Sequence, residues 1–181
     1  MQIGILGTGN VARTLARHWL AAGHQVTFGS RDPASREDLG ARVTSMADAV
    51  AGSEVVVNAT PGSASLEVAQ GIGAAAFEGK VLIDVANAGT PSFELIYPNS
   101  SLAEKLQAAL PGAKVVKTMN TAAMTVLTEP ADLPPSSAFV SGDDPAAKAT
   151  VASLLQDFGW ERESIVDLGA LPPPAVPSTI S

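Results

Sequence analysis

Gln2-Ile3-Gly4-Ile5-Leu6-Gly7-Thr8-Gly9-Asn10-Val11-Ala12 is the stretch that decides the fold. A short apolar run passes through a G-x-G-x-x-A turn and opens a helical pattern. Strand, glycine turn and amphipathic helix, in that order, make a phosphate cradle. Gly7 permits the tight turn, Gly9 lets the backbone approach a pyrophosphate, and the small Ala12 allows close packing of helix on strand. A helix beginning near Asn10 aims its free N–H groups and the positive end of its dipole at the phosphates. Thr8 and Val11 complete the loop.

The second strand reads Gln25-Val26-Thr27-Phe28-Gly29 and runs into Ser30-Arg31. Units of this type that take NAD carry Asp or Glu at the end of that strand, where the carboxylate binds the ribose 2′-OH. A hydroxyl and a guanidinium suit a 2′-phosphate instead, because Arg forms charge-assisted, often bidentate bonds to phosphate oxygens. Arg36 is a second candidate in the same loop. The expected cofactor is therefore NADP(H). The alternative leaves Arg31 and Arg36 as solvated charges and makes Asp32 the ribose acid, but Asp32 lies past the strand end.

Working outward, strand and helix patterns alternate. Residues 41–44 read as a third strand, 54–59 as a buried fourth, 80–85 as a fifth and 113–118 as a sixth. The fourth is apolar through its centre, as a parallel sheet covered on both faces requires. Helices are expected over 64–76 and over 101–110, the latter carrying Leu102, Leu106 and Leu110 at four-residue spacing. Residues 137–141 read as another strand, and Asp144-Pro145 caps a helix running through Phe158. Trp160 to Val166 reads as a last strand. The expected fold is α/β: a doubly wound, mainly parallel Rossmann sheet of order 3-2-1-4-5-6 plus one or two strands, in a single domain over 1–171. Residues 172–181 hold a proline run that cannot be helical and read as an extended or disordered tail.

Composition narrows the function. With 181 residues the chain fits one domain with a sizeable core. A net charge of −7 argues against nucleic acid or an anionic membrane as the main partner. The absence of cysteine excludes disulfides, a thiolate nucleophile and a Cys-ligated metal, and no metal site is expected. Met1 leads directly into a strand and no run reaches the length of a membrane span, so a cytoplasmic location is expected.

Ligands of such sheets lie at the carboxyl ends of the strands. Thr60-Pro61-Gly62, Asn87-Ala88-Gly89 and Asn120-Thr121-Ala122 follow strands four, five and six. Each could be an ordinary turn, but three in succession point to a site whose amides and hydroxyls orient a nicotinamide. Acid–base equipment is missing. The two histidines, His18 and His24, belong to the first helix and its exit, and Tyr97 is followed four residues on by Ser101 rather than by Lys. No catalytic residue is assigned. Hydride exchange between two redox cofactors needs no such group, only two rings stacked at near-attack distance in a dry pocket.

Ile5-Leu6-Gly7-Thr8-Gly9-Asn10-Val11, Gly29-Ser30-Arg31, Ala59-Thr60-Pro61, Asp84-Val85-Ala86-Asn87, Lys117-Thr118-Met119-Asn120-Thr121, Ser141-Gly142-Asp143-Asp144 and Asp167-Leu168-Gly169 resemble the coenzyme F-420-dependent NADP oxidoreductase family. The N-terminal NADPH domain of the six-transmembrane metalloreductases is similar. The resemblance spans nearly all of residues 1–171. It implies that Thr8, Gly9, Asn10 and Val11 hold the pyrophosphate side. Ser30 and Arg31, with Arg36, would take the 2′-phosphate. Thr60, Pro61, Asn87 and Asn120 would line the nicotinamide end, with a deazaflavin stacked over it.

There are two departures. Some deazaflavin-using members carry His where this chain has Asn120. Asp167-Leu168-Gly169 is followed here by Ala170-Leu171-Pro172 in place of Ala-Arg and an apolar C-terminal helix that covers the site and pairs subunits. The expected function is an NADP(H)-dependent oxidoreductase passing hydride to a deazaflavin, a flavin or a small imine or carbonyl, in a chain that forms a homodimer. The alternative is a non-catalytic NADP(H)-binding regulator or partner subunit with an incomplete active site.

Overall fold

The computed structural model describes residues 1–35, 39–90, 92 and 94–171. Its strands are β1 (Gln2–Leu6), β2 (Gln25–Ser30), β3 (Arg42–Ser45), β4 (Val55–Asn58), β5 (Val81–Asp84), β6 (Lys114–Thr118), β7 (Ala138–Gly142) and β8 (Ile165–Asp167). Its helices are α1 (Asn10–Ala21), α2 (Met46–Ala51), α3 (Ser65–Ile72), α4 (Leu102–Ala109), α5 (Met124–Leu127) and α6 (Pro145–Gln156). The strands form one sheet of order β3-β2-β1-β4-β5-β6-β7-β8. All neighbours are parallel except β6 and β7. This is the expected doubly wound Rossmann sheet, extended by two strands beyond β6.

Period-two alternation in the strands sends side chains to two cores. Ile3, Ile5, Val26, Phe28, Val55, Val57, Ile83 and Val116 pack with Ala12, Leu15, Ala16 and Trp19 of α1 and with α6. Leu6, Val56, Leu82 and Val115 face the other way, onto α2, Ala69 of α3 and Leu102, Ala103 and Leu106 of α4. Central strands buried on both faces explain why their sequences are continuously apolar.

Three expected elements differ. The helix expected over 64–76 ends at Ile72, because Gly73 takes a left-handed φ of 98°, and a single 3-10 turn, Ala74–Phe77, follows. The last helix stops at Gln156 before the left-handed Gly159. The strand expected from Trp160 to Val166 is confined to Ile165–Asp167. Trp160 is instead a buried anchor whose indole N–H donates to the Leu127 carbonyl at 2.8 Å, and Arg162–Ser164 form a 3-10 turn. The short helix α2 was not expected. Its signal is Ser45, whose hydroxyl accepts from the Asp48 N–H at 3.1 Å. Arg36 and residues 172–181 lie outside the described residues.

Two carboxylates fasten the outer strands. Asp144 caps α6; the Ala147 N–H holds its carboxyl below the usual carboxylate range, partial burial opposes this, and Lys114 adds to it. Asp167 is lowered by Lys148 and then by the Gly169 N–H, again against partial burial. A carboxylate depressed in the folded state stabilises it above the unfolded pKa, and that contribution is lost as pH falls through the folded value. Replacing both by Asn should therefore flatten the acid limb of the stability curve below about pH 4 and leave its slope above pH 6 unchanged. Urea unfolding across pH 2–7 measures it; an unaltered acid limb contradicts it.

Candidate functional site

A cleft of about 790 Å³ opens at the carboxyl ends of β1, β2, β4 and β5. It starts at the turn after β1. Gly7 has a φ of 113°, and its N–H donates to the Gly29 carbonyl at 2.9 Å. A Cβ on Gly7 would stand 2.7 Å from the Ala59 carbonyl oxygen, so the fold itself demands glycine there. Gly9 is different. A Cβ on it would meet nothing within 4 Å. Its backbone, at φ −76° and ψ −176°, is one any residue adopts. Nothing in the protein requires glycine at this position. What a side chain there would obstruct is the open space over the start of α1. That helix has no side-chain cap, so its first N–H groups face the cleft unpaired by any capping oxygen. Arg13 braces the turn through Nε, which donates to the Thr8 carbonyl at 2.9 Å.

The rim beyond β2 holds Ser30, Arg31 and Asp32. Ser30 is buried and its Oγ accepts from the Asp32 N–H at 3.1 Å, which closes the turn and leaves Arg31 exposed at its apex. Arg31 and Asp32 both line the cleft.

The opposite end is built by the loops after β4, β5 and β6. Pro61, Gly62, Asn87 and Ala86 line the cleft. The first two loops touch directly: a Cβ on Gly62 would lie 2.2 Å from the Asn87 carbonyl oxygen. Thr60 also lines the cleft, but its hydroxyl is engaged inward, 2.6 Å from Asn58 Oδ1 and 2.9 Å from Ser65 Oγ. Asn87 Nδ2 donates to the Asn120 carbonyl at 3.0 Å, and the Asn120 amide returns to Asn87 Oδ1 at 3.4 Å.

Asn120 itself is turned out of the cleft into a neighbouring cavity of about 150 Å³, shared with Asn87, Tyr97 and Lys117. Met119 takes its place in the cleft wall. At φ 54° it is the one non-glycine residue with a left-handed backbone among the described residues. Such a conformation costs about 1–3 kcal/mol and persists only where the surroundings impose it.

Sequence reasoning missed Met119, Met124, Met46 and Val68, apolar residues that line the cleft from four different elements or loops. It also missed Asn58, Asp84, Ser65 and Lys117 beneath it. Asn58, Asp84 and Lys117 carried a signal as polar residues at the ends of apolar strands, and Asp84 and Lys117 also stand in stretches that resemble the family; Ser65, at the start of α3, carried none. Among the described residues no group of His, Cys, Asp or Glu is placed to hold a metal ion, and no helix is long and apolar enough to cross a membrane. His18 and His24 lie outside the cleft. His24 Nε2 is 2.8 Å from Asp157 Oδ2, and His18 packs edge-on against Phe158.

Fold and cleft together define a Rossmann-type α/β protein with an open cleft over its first glycine turn. The chain belongs to the coenzyme F420-dependent NADP oxidoreductase family, whose model matches residues 2–88. A protein of Arthrobacter sp. FB24, provisionally assigned as an F420-dependent NADP reductase, is 38% identical, with a TM-score of 0.86 over 94% of this chain and 86% of that one. A hypothetical protein of Sinorhizobium meliloti is 27% identical, with a TM-score of 0.77 over 94% and 86% of the two chains. Rat metalloreductase STEAP3 is 30% identical over 176 residues, covering 94% of this chain and 34% of that protein. The chain thus spans about a third of the length of that curated relative.

Proposed function

We propose that the cleft binds NADP(H) in extended form and that the chain passes hydride between the nicotinamide and a deazaflavin or flavin. The observation that carries the reading is Gly9: its missing side chain serves no contact within the protein, yet leaves room for a diphosphate against the open end of α1. In this reading Gly7, Thr8, Gly9, Asn10 and Val11 hold the pyrophosphate. Ser30 shapes the turn and Arg31 takes the 2′-phosphate. Pro61, Asn87 and Met119 bound the nicotinamide end. Thr60 and Asn120 act on that end indirectly, through Asn58 and Asn87. The cofactor supplies the hydride; the protein supplies position. Met119, Met124 and Val85 exclude water from the ring, and orientation alone is worth several kcal/mol of barrier.

The family membership and the likeness to the Arthrobacter protein support NADP(H) and a deazaflavin partner. The test follows deuterium from NADPH stereospecifically labelled at the nicotinamide C4 to C5 of oxidised F420; with oxidised FMN, whose hydride-accepting N5 exchanges its hydrogen with water, the readout is the stereospecific loss of label from the nicotinamide. Direct transfer delivers one deuterium from one face, without exchange with solvent. His18→Ala and His24→Ala should retain turnover within about twofold, since neither side chain reaches the cleft. Solvent hydrogen at the hydride-receiving carbon would refute direct transfer.

A further inference from the structure

Asn58, Asp84 and Lys117 stand side by side at the ends of β4, β5 and β6, because the parallel registers pair Asn58 with Asp84 and Asp84 with Lys117. Asp84 is fully buried. Its Oδ2 is 2.9 Å from Lys117 Nζ; its Oδ1 accepts from Asn58 Nδ2 at 2.8 Å and from the Ala86 N–H at 3.2 Å. Lys117 also donates to the Ala86 carbonyl. Both backbone groups of Ala86, the residue before Asn87, are therefore held by one ion pair. On the other side, Asn58 Oδ1 accepts from the Thr60 hydroxyl, and the single proton of Ser65 Oγ is shared between Thr60 Oγ1 at 2.9 Å and the Pro61 carbonyl at 3.0 Å.

We propose that this chain, buried from Ser65 through Thr60 and Asn58 to Asp84 and ending on the partly exposed Lys117, is a positioning device. It locks the loops after β4 and β5, and the base of the loop after β6, into the one arrangement that seats a nicotinamide. Burying an ion pair is costly and its net contribution to stability is small or negative, so stability alone is a weak reason for its presence. A chain whose polar groups satisfy one another does confer rigidity. Here the two residues it holds most directly, Ala86 and Pro61, both belong to the cleft wall. Asn58, Ser65, Asp84 and Lys117 are positioning residues, and the chain has no part in holding the adenosine half.

This inference rests on the cofactor reading above, and the experiment separates the two. NADPH and 2′,5′-ADP, the adenosine half with its 2′-phosphate, are titrated against the parent protein and the double variant Asp84→Asn, Lys117→Met. Both charges are replaced so that none is left buried and unpaired. The expected result is about tenfold weaker NADPH binding, which corresponds to about 1.4 kcal/mol. Binding of 2′,5′-ADP stays within twofold, and the fluorescence of bound NADPH moves toward that of the free cofactor. Ser65→Ala breaks the far end of the chain without touching the ion pair. It should shift NADPH alone, by about threefold, and serves if the double variant does not fold. Unchanged NADPH affinity and emission in a folded variant would overturn the proposal, as would equal weakening of both probes. A parent protein that binds neither probe overturns the cofactor reading, and this inference with it.

Discussion

A Gly9→Val protein is expected to fold normally and to lose NADP and NAD binding together. The backbone at this position is extended, and the new side chain meets no protein atom near its Cβ. Its melting temperature should fall by only a few degrees, the cost of replacing the glycine N-cap of α1 by valine. Binding should weaken by at least about a hundredfold, roughly 2.7 kcal/mol, because the isopropyl group occupies the space the diphosphate needs. Gly7→Ala is the informative contrast. Its φ of 113° and the Ala59 carbonyl 2.7 Å from the new Cβ make it a stability variant, at a cost of about 1–3 kcal/mol or more. Calorimetric titration and thermal unfolding of the two proteins therefore separate ligand-driven glycine from fold-driven glycine. Micromolar NADPH binding in a folded Gly9→Val protein would place the cofactor elsewhere.

Removal of the Arg31 guanidinium should erase most of the preference for NADPH without disturbing the fold. Arg31 is exposed at the apex of the Ser30 turn, so Arg31→Ala should change stability by less than about 0.5 kcal/mol. NADPH binding should fall by about 1.5–3 kcal/mol, the scale of a lost charged hydrogen bond, or roughly ten- to a hundredfold. NADH binding should not move, since it lacks the 2′-phosphate. The parent should prefer NADPH at least about tenfold. Asp32 shares the rim, which makes the competing assignment testable in the same assay. If Asp32 were the ribose acid, the parent would favour NADH, and Asp32→Ala would weaken it. Equal affinity of the parent for both cofactors would sink the phosphate assignment.

Local pattern made the cradle end of the cleft legible. Gly7, Gly9 and the start of α1 are contiguous in the chain, so one short stretch states both the turn and the helix it leads into. The Ser30-Arg31 rim was legible for the same reason, as the exit of a single strand. Thr60 and Asn120 were harder. Their polarity at strand ends marked the right loops, but the direction of each side chain depends on neighbours far away in sequence. Thr60 turns its hydroxyl inward because Asn58 and Ser65 offer it partners. Asn120 leaves the cleft wall to Met119 across a left-handed turn that no propensity for methionine would suggest.

The sequence by itself determined the α/β class, the order of the strands through β6 and the G-x-G-x-x-A turn that leads into α1. These follow from periodicity, turn chemistry and residue types, all of which are local properties of the chain. Only the tertiary structure decided that β7 runs antiparallel to β6 and that β8 closes the edge. Only it put Asn58, Asp84 and Lys117 in one row. Those residues lie 26 and 33 positions apart, and nothing in their own segments says that they meet. Sheet register brings them together: parallel pairing fixes which residue stands opposite which. Burial then makes the pairing obligatory, because a carboxylate with no access to water must find its ammonium and its amides within the protein.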